Sequence, residues 1–344
     1  MKLSEFDYEL PSGLIAQEPL SVRDRSRLLC IGKSGGKSGG LDGAIDHRRF
    51  DALPDLLQPG DLLVLNETKV FPARLLGNRA TGGAVELLLL ESLGDDTWRV
   101  LGKPARKLRV GAELTFGEGR LKGEVVDQET LSVRFDYDGD WDDVVDTLGR
   151  TPLPPYIRPT DDELETRERY QTVYAKNRGS IAAPTAGLHF TDAIFEALKR
   201  RGVGVATITL HVGYATFEPV RTEEVFEHRM GIERFEVPRE TVELIRSSRR
   251  VVAVGTTSVR ALESAARIDF APGWHASDLF ITPGFDFRVV RGLVTNFHLP
   301  KSTLLMLVSA LAGVENVRAA YREAVEQKYR FYSFGDAMLI RKSS

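Results

Sequence analysis

The rhythm of the chain changes at Val70, and that change limits what it can fold into. From Val70 to about Asp146, short strand candidates lie at Ala84–Leu90, Trp98–Leu101, Glu113–Phe116, Leu121–Val126 and Leu131–Tyr137, separated by Gly, Asp or Lys clusters. No amphipathic helix interrupts them before Trp141–Leu148. Closely spaced strands without helices predict a small barrel or sandwich. Thr151-Pro152-Leu153-Pro154-Pro155 then breaks the chain. Beyond it, strands and helices alternate. The pattern predicts helices over Thr191–Arg201 (Thr191 as N-cap), Pro238–Arg249 and Ser258–Arg267, and one long or two short helices over Lys301–Gln327. Strands are expected over Arg27–Ile31, Asp61–Asn66, Val203–Val212, Val251–Val254, Asp278–Thr282 and Leu293–Phe297. The fold class read from this is α/β, a mainly parallel or mixed sheet with flanking helices, plus an inserted all-β, barrel-like domain. The expected division is a discontinuous α/β domain of residues 1–69 and 151–344, with 70–150 as the insertion.

Composition excludes several classes. With 344 residues, 42% hydrophobic and a net charge of -3, the chain can bury a large core, so disorder is not its main state. No charge-free run near the C-terminus reaches the ~20 residues of a spanning helix. Cys30 is the single cysteine, which rules out an internal disulfide framework. MKLSEFDYELP places acids where a secretory signal would have its apolar core, so a cytoplasmic address without membrane attachment is expected. Residues 32–43 are rich in Gly, Ser and Lys, but Ile31 stands where a phosphate loop needs its first glycine. That stretch reads as a surface hairpin tip or loop.

The histidines form neither H-x-H nor H-E-x-x-H, so no metal is expected. G-x-S-x-G and G-x-G-x-x-G are also missing. What stands out is four dense segments at predicted strand or helix ends: Ala183–Phe190 with His189, Thr209–Phe217 with His211, Val254–Arg260, and Thr295–Ser302 with Asn296, His298 and Lys301. In an open α/β sheet, ligands bind in the crevice at the carboxyl ends of the strands. Each segment alone has a plainer reading. A single histidine is more often a satisfied core residue, and Gly255-Thr256-Thr257-Ser258 is an ordinary helix cap. Together they favour a site, with an anion held at a helix N-terminus and Arg260 adding charge.

The segments FDYELPSGLIAQEP, GDLLVLNETKVFPARLLG, APTAGLHFT, TLHVGYATFEPV, VGTTSVRALES, TNFHLPKSTLLMLVSALAG and YRFYSFGDAMLI span nearly the whole chain. In them the sequence resembles the S-adenosylmethionine:tRNA ribosyltransferase-isomerase family of queuosine biosynthesis. The resemblance implies an α/β body with an inserted barrel. It also implies transfer and isomerisation of the ribosyl part of S-adenosylmethionine onto 7-aminomethyl-7-deazaguanine at the tRNA wobble position, with adenine and methionine leaving and epoxyqueuosine formed. S-adenosylmethionine would be a consumed co-substrate with no further cofactor, and the enzyme a monomer.

That reaction asks for particular groups. The sulfonium acidifies the ribose C5′ hydrogens, so His211 or His189 is expected to remove a proton there. The attacking aminomethyl group must also lose a proton, for which Asp336, Glu263 and His298 are candidates. Phe217, Tyr214 or Phe297 would offer the sulfonium an aromatic face. Thr256, Thr257, Ser258, Asn296 and Lys301 are the expected substrate-binding residues, with Arg260 gripping a carboxylate or phosphate. For tRNA, the expected contact is the basic run Lys103, Arg106, Lys107 and Arg109, and Tyr329–Gly335 mixes aromatics and cations. Without the resemblance, the residues read as a nucleotide- or phosphate-ester-binding α/β enzyme. A non-catalytic RNA-binding module fits the basic runs but leaves the strand-end segments unexplained.

Overall fold

The computed structural model describes residues 1–32, 44–158, 160, 162–213, 220 and 222–341. Most of the Gly/Ser-rich stretch, together with Tyr214 and Phe217, lies outside them. In chain order the strands of the first part are β1 (Arg27–Ile31), β2 (Ile45–Arg49), β3 (Asp61–Asn66) and β4 (Thr68–Val70). Those of the barrel are β5 (Arg74–Arg79), β6 (Ala84–Gly94), β7 (Thr97–Lys103), β8 (Glu113–Phe116), β9 (Leu121–Asp127) and β10 (Ser132–Tyr137). Then come β11 (Asn177–Ser180), β12 (Gly204–Leu210), β13 (Glu233–Glu236), β14 (Arg250–Val254), β15 (Trp274–Ser277), β16 (Val290–Asn296) and β17 (Ala337–Arg341). The helices are α1 (Leu53–Leu56), α2 (Trp141–Leu148), α3 (Glu163–Arg169), α4 (Asp192–Arg200), α5 (Arg239–Ser247), α6 (Thr256–Arg267), α7 (Thr303–Ala312) and α8 (Val314–Glu326).

The body is built on a nine-stranded sheet in the order β15-β13-β12-β3-β14-β16-β17-β1-β2. Its centre is parallel: β12, β3, β14 and β16 all run the same way. β17 returns antiparallel beside β16, and β13 and β15 are antiparallel at one edge, so the sheet is mixed. The central strands are apolar at nearly every position because both faces are covered. Leu62, Val64, Val251 and Ala253 join the core under α6, α7 and α8, while Leu63, Leu65, Val252 and Val254 join the one under α4.

Six antiparallel strands close the barrel in the order β10-β7-β6-β5-β8-β9. Their apolar residues alternate, as one inward face requires. The chain enters at Arg74 and leaves at Arg150, and the two residues exchange backbone hydrogen bonds of 3.1 and 2.8 Å. Helix α2 caps the barrel, Trp141 stacking on Trp98 at 5.5 Å.

The fold departs from the sequence expectations at two places. β5 is invisible as a strand because Gly77 and Asn78 read as a turn. In the barrel, a Cβ on Gly77 would sit 2.3 Å from the Thr115 carbonyl oxygen, so this crossing of β5 and β8 admits only glycine. The strand expected at Asp278–Thr282 lies instead at Trp274–Ser277, where the residues pair with β13. Ser277 then turns the chain by accepting the Leu279 amide on its Oγ. Of the one long or two short helices expected over Lys301–Gln327, the chain forms two, bent by 115°.

Candidate functional site

The parallel strands β3, β12, β14 and β16 end at one edge of the sheet, and β17 begins there. A cleft of about 230 Å³ opens at that edge. All four segments singled out in the sequence reach it, through Ala182–Ala186, Val212, Gly255–Thr257 and Thr295–Leu304, joined by Tyr156, Tyr332 and Ser333. A larger groove of about 380 Å³ lies between the N-terminal segment and helices α7 and α8, away from the strand ends.

Local chemistry fixes each wall. Asn66, fully buried at the end of β3, accepts the amides of Thr68 and Leu210 on Oδ1 and donates Nδ2 to the Leu210 carbonyl. Its Nδ2 also reaches Thr257 Oγ1 at 3.4 Å, tying three strand ends to the start of α6. The N-termini of α6 and α7 both face the cleft, so both positive helix ends converge there. Two large residues on the wall have left-handed backbones, Tyr332 at φ 72° and Lys301 at φ 57°. Such conformations cost roughly 1–3 kcal/mol and concentrate at functional sites. Tyr332 lies 4.7 Å from Tyr156, ring centre to ring centre, and the Tyr156 hydroxyl is 2.7 Å from Ser333 Oγ.

His298 lines the cleft, with Nε2 2.8 Å from Thr295 Oγ1. Its backbone is clamped: the amide donates to the Tyr321 hydroxyl (2.9 Å) and the carbonyl accepts from Tyr8 (2.5 Å). Burial holds its imidazole down at about 3, so it is neutral at pH 7. Lys301 lies at the mouth, paired with Asp7 at 2.8 Å. Among the described residues, no aspartate or glutamate lines this cleft.

The other candidates are placed differently. His189 is a buried positioning group. Its Nδ1 is 2.8 Å from Ser26 Oγ, its Nε2 accepts Asn296 Nδ2 at 3.1 Å, and its ring stacks on Phe50. Asn296, which does line the cleft, also donates Nδ2 to the Tyr332 carbonyl. Burial lowers the His189 imidazole to about 3, with Arg23 and Arg330 adding to the shift. Arg260 is 5% exposed and held by Glu233 at 2.5 Å, so its fork is engaged inside the protein. Ser258 donates back to the Val254 carbonyl within its own turn. Asp336 accepts the amides of Arg27 and Arg330, each at 2.8 Å, and is absent from the cleft wall. Glu263 is fully buried and receives three backbone amides. Phe297 borders the cleft, but its ring is fully buried in the aromatic core.

His211 is also off the cleft. It follows β12, and Val212 rather than His211 enters the wall. Its Nδ1 lies 2.9 Å from Thr68 Oγ1, and burial followed by Arg234 lowers its pKa. Lys103, Arg106, Lys107 and Arg109 are all exposed on the barrel. Lys103 also borders a second cleft, of about 270 Å³, with Arg74 and Pro152–Pro155. Sequence reasoning missed Tyr156 and Ser333 as site residues, because Tyr156 directly follows the Thr151–Pro155 break and Tyr329–Gly335 reads as a stacking surface or core.

A family model described as a queuosine biosynthesis protein matches residues 3–340. The chain is 53% identical to the S-adenosylmethionine:tRNA ribosyltransferase-isomerase of Symbiobacterium thermophilum, over 99% of this chain and 100% of that one. It is 52% identical to the enzyme of the same name from Carboxydothermus hydrogenoformans, with the same coverage. Among solved structures, it resembles the S-adenosylmethionine tRNA ribosyltransferase of Thermotoga maritima, with 39% identity and a TM-score of 0.55, over 98% of this chain and 100% of that one.

Proposed function

The chain belongs to the family of queuosine biosynthesis proteins, and from that premise we propose that it carries out the reaction for which its full-length relatives are named. It moves the ribosyl group of S-adenosylmethionine onto tRNA and isomerises it. The acceptor is the 7-aminomethyl-7-deazaguanine at the wobble position, adenine and methionine leave, and epoxyqueuosine is formed. The observation that carries this reading is the identity of 50% or more over 99% of the chain, combined with a strand-end cleft built from the same segments.

The cleft residues divide the work. The N-termini of α6 and α7 receive the methionine carboxylate through free backbone amides. The rings of Tyr156 and Tyr332 face the sulfonium, worth about 0.5–2 kcal/mol by cation–π attraction. His298 takes the C5′ proton once the methionine carboxylate bound in the same cleft raises its imidazole from the value of about 3 that burial alone gives it. A cleft of about 230 Å³ is below the ~300–1,000 Å³ of sites that engulf a drug-sized ligand, so part of the nucleoside extends toward the tRNA. S-adenosylmethionine is consumed, and no cofactor enters. We further propose that it acts as a monomer in the cytoplasm.

The direct test is adenine release. Wild type should release adenine from S-adenosylmethionine only with tRNA bearing the aminomethyl base, and release that is indifferent to that base would overturn the assignment. His298→Gln keeps a partner for Thr295 but has no titratable nitrogen. It should lower kcat at least ~100-fold with S-adenosylmethionine binding retained. A kcat within threefold of wild type would remove His298 from the chemistry.

The exposed run on the barrel supplies the charge that a chain of net charge -3 lacks overall. Neutralising Lys103, Arg106 and Lys107 together should weaken tRNA affinity and reduce the slope of log K against log salt by roughly 2. An unchanged slope would place the RNA backbone elsewhere.

A further inference from the structure

Trp274 is 40% exposed, yet its ring is held in a fixed plane. His211 stacks on it at 5.1 Å with 20° between the planes. Behind His211 the backbone of Gly179 comes so close that a Cβ there would sit 2.7 Å from the imidazole, so the histidine cannot swing back. Thr68 fixes the edge of the same imidazole through Nδ1. Arg234 lies over the Trp274 ring at 5.6 Å.

Strand register explains the cluster. Arg234 pairs with Ala276 and Glu236 with Trp274, so these four side chains share one face of the β13–β15 edge. Phe235, Glu233 and Ser277 on the other face are buried. The outward face therefore carries an indole, a guanidinium, a methyl group too small to cover the indole, and the Glu236 carboxylate. Such a face repels a phosphate on the Glu236 side and accepts one on the Arg234 side.

Continuity with the cleft selects the occupant. His211 is bonded directly to Val212, which lines the cleft wall. We infer that the His211–Trp274–Arg234 face is a stacking platform for an unpaired nucleotide next to the modified base of the tRNA. Its base lies on the indole, and its phosphate lies toward Arg234. This rests on the function proposed above. It gives His211 a positioning role, as the backing that holds the indole flat. Aromatic stacking with a neighbouring cation is how single-stranded RNA loops are held.

The test uses the full chain and an anticodon stem–loop RNA carrying the aminomethyl base. Trp274→Leu keeps apolar bulk without a π face. It should raise the Kd for this RNA and the KM for tRNA about 10-fold, within the 5- to 150-fold expected for one stacked base. The KM for S-adenosylmethionine should stay within twofold, and Trp274→Tyr should recover most of the RNA affinity. Removing the base next to the modified one should weaken wild type by a similar factor and leave Trp274→Leu unaffected. An RNA Kd within twofold of wild type in folded Trp274→Leu would overturn the platform, as would equal rises in both Michaelis constants. Wild type that fails to release adenine with this tRNA would instead defeat the functional reading, and the two failures are separable.

Discussion

Glu263→Ala should cost the fold about 4 kcal/mol or more, among the largest effects of any single substitution in this chain. Glu263 projects from α6 onto the start of β16 and is fully buried. Its Oε1 accepts the amides of Val289 and Val290 at 3.0 and 2.9 Å, and its Oε2 accepts the Arg288 amide at 2.9 Å and Arg267 Nη1 at 3.1 Å. Truncation strands three backbone donors, each costing about 1–3 kcal/mol if left unpaired where water cannot replace the carboxylate. It also removes the carboxylate from Arg267, which keeps the Glu263 and Asp286 carbonyls. The exposed pair Arg239–Glu243, with 88% and 63% of its side chains accessible, sets the contrast. Removing Glu243 should cost less than about 0.5 kcal/mol. Urea unfolding of the two variants measures the difference directly. Glu263→Gln separates structure from chemistry, because it keeps an acceptor but cannot take up a proton. It should lose stability and retain turnover once folded. A stable Glu263→Gln without turnover would make the carboxylate a participant in proton transfer.

Glu263 also marks where the sequence stopped being readable. That the segments at Ala183, Val254 and Thr295 meet was legible, because each sits at a strand or helix end and an α/β sheet gathers such ends at one edge. Which side chain of each segment faces the cleft was not. The choice depends on partners far away in the chain: Ser26 for His189, Glu233 for Arg260, and Arg27 for Asp336. No local pattern encodes these pairings, and a polar residue satisfied by a distant partner looks the same in sequence as one reserved for a ligand. The fold was more readable where period alone decides. Glu113–Phe116 and Trp141–Leu148 form with the bounds read from alternation and amphipathicity. β13 and β15 depend on edge pairing rather than on a strong apolar run, and sequence reading missed or displaced both.

Acidification should unfold the protein well before most carboxylates titrate, because His189 and His298 are buried in neutral form. Each is held at about 3, against 6.5 for an unhindered imidazole, mainly because burial penalises the cation. For a group whose pKa is lowered on folding, the stabilisation is complete above the unfolded value and is lost as pH falls from about 6.5 toward about 3. Within that window the unfolded chain binds a proton at each site that the folded chain refuses. Each therefore removes about 1.4 kcal/mol per pH unit, and the pair close to 3. Two pH units would then consume about 5 kcal/mol, comparable to the ~5–15 kcal/mol that holds an ordinary domain together. His211, lowered in the same direction, adds to the slope. Asp336 opposes it, because burial raises its carboxyl and the folded form takes up that proton more readily as pH falls. Denaturant unfolding at intervals from pH 7 to pH 4 should show stability falling steeply below 6.5. His298→Gln and His189→Gln should each flatten that fall by about one proton. Equal stability at pH 6.5 and pH 4.5 would mean that both imidazoles accept protons inside the fold, and the cleft wall would then carry a cation where the proposed base must be neutral.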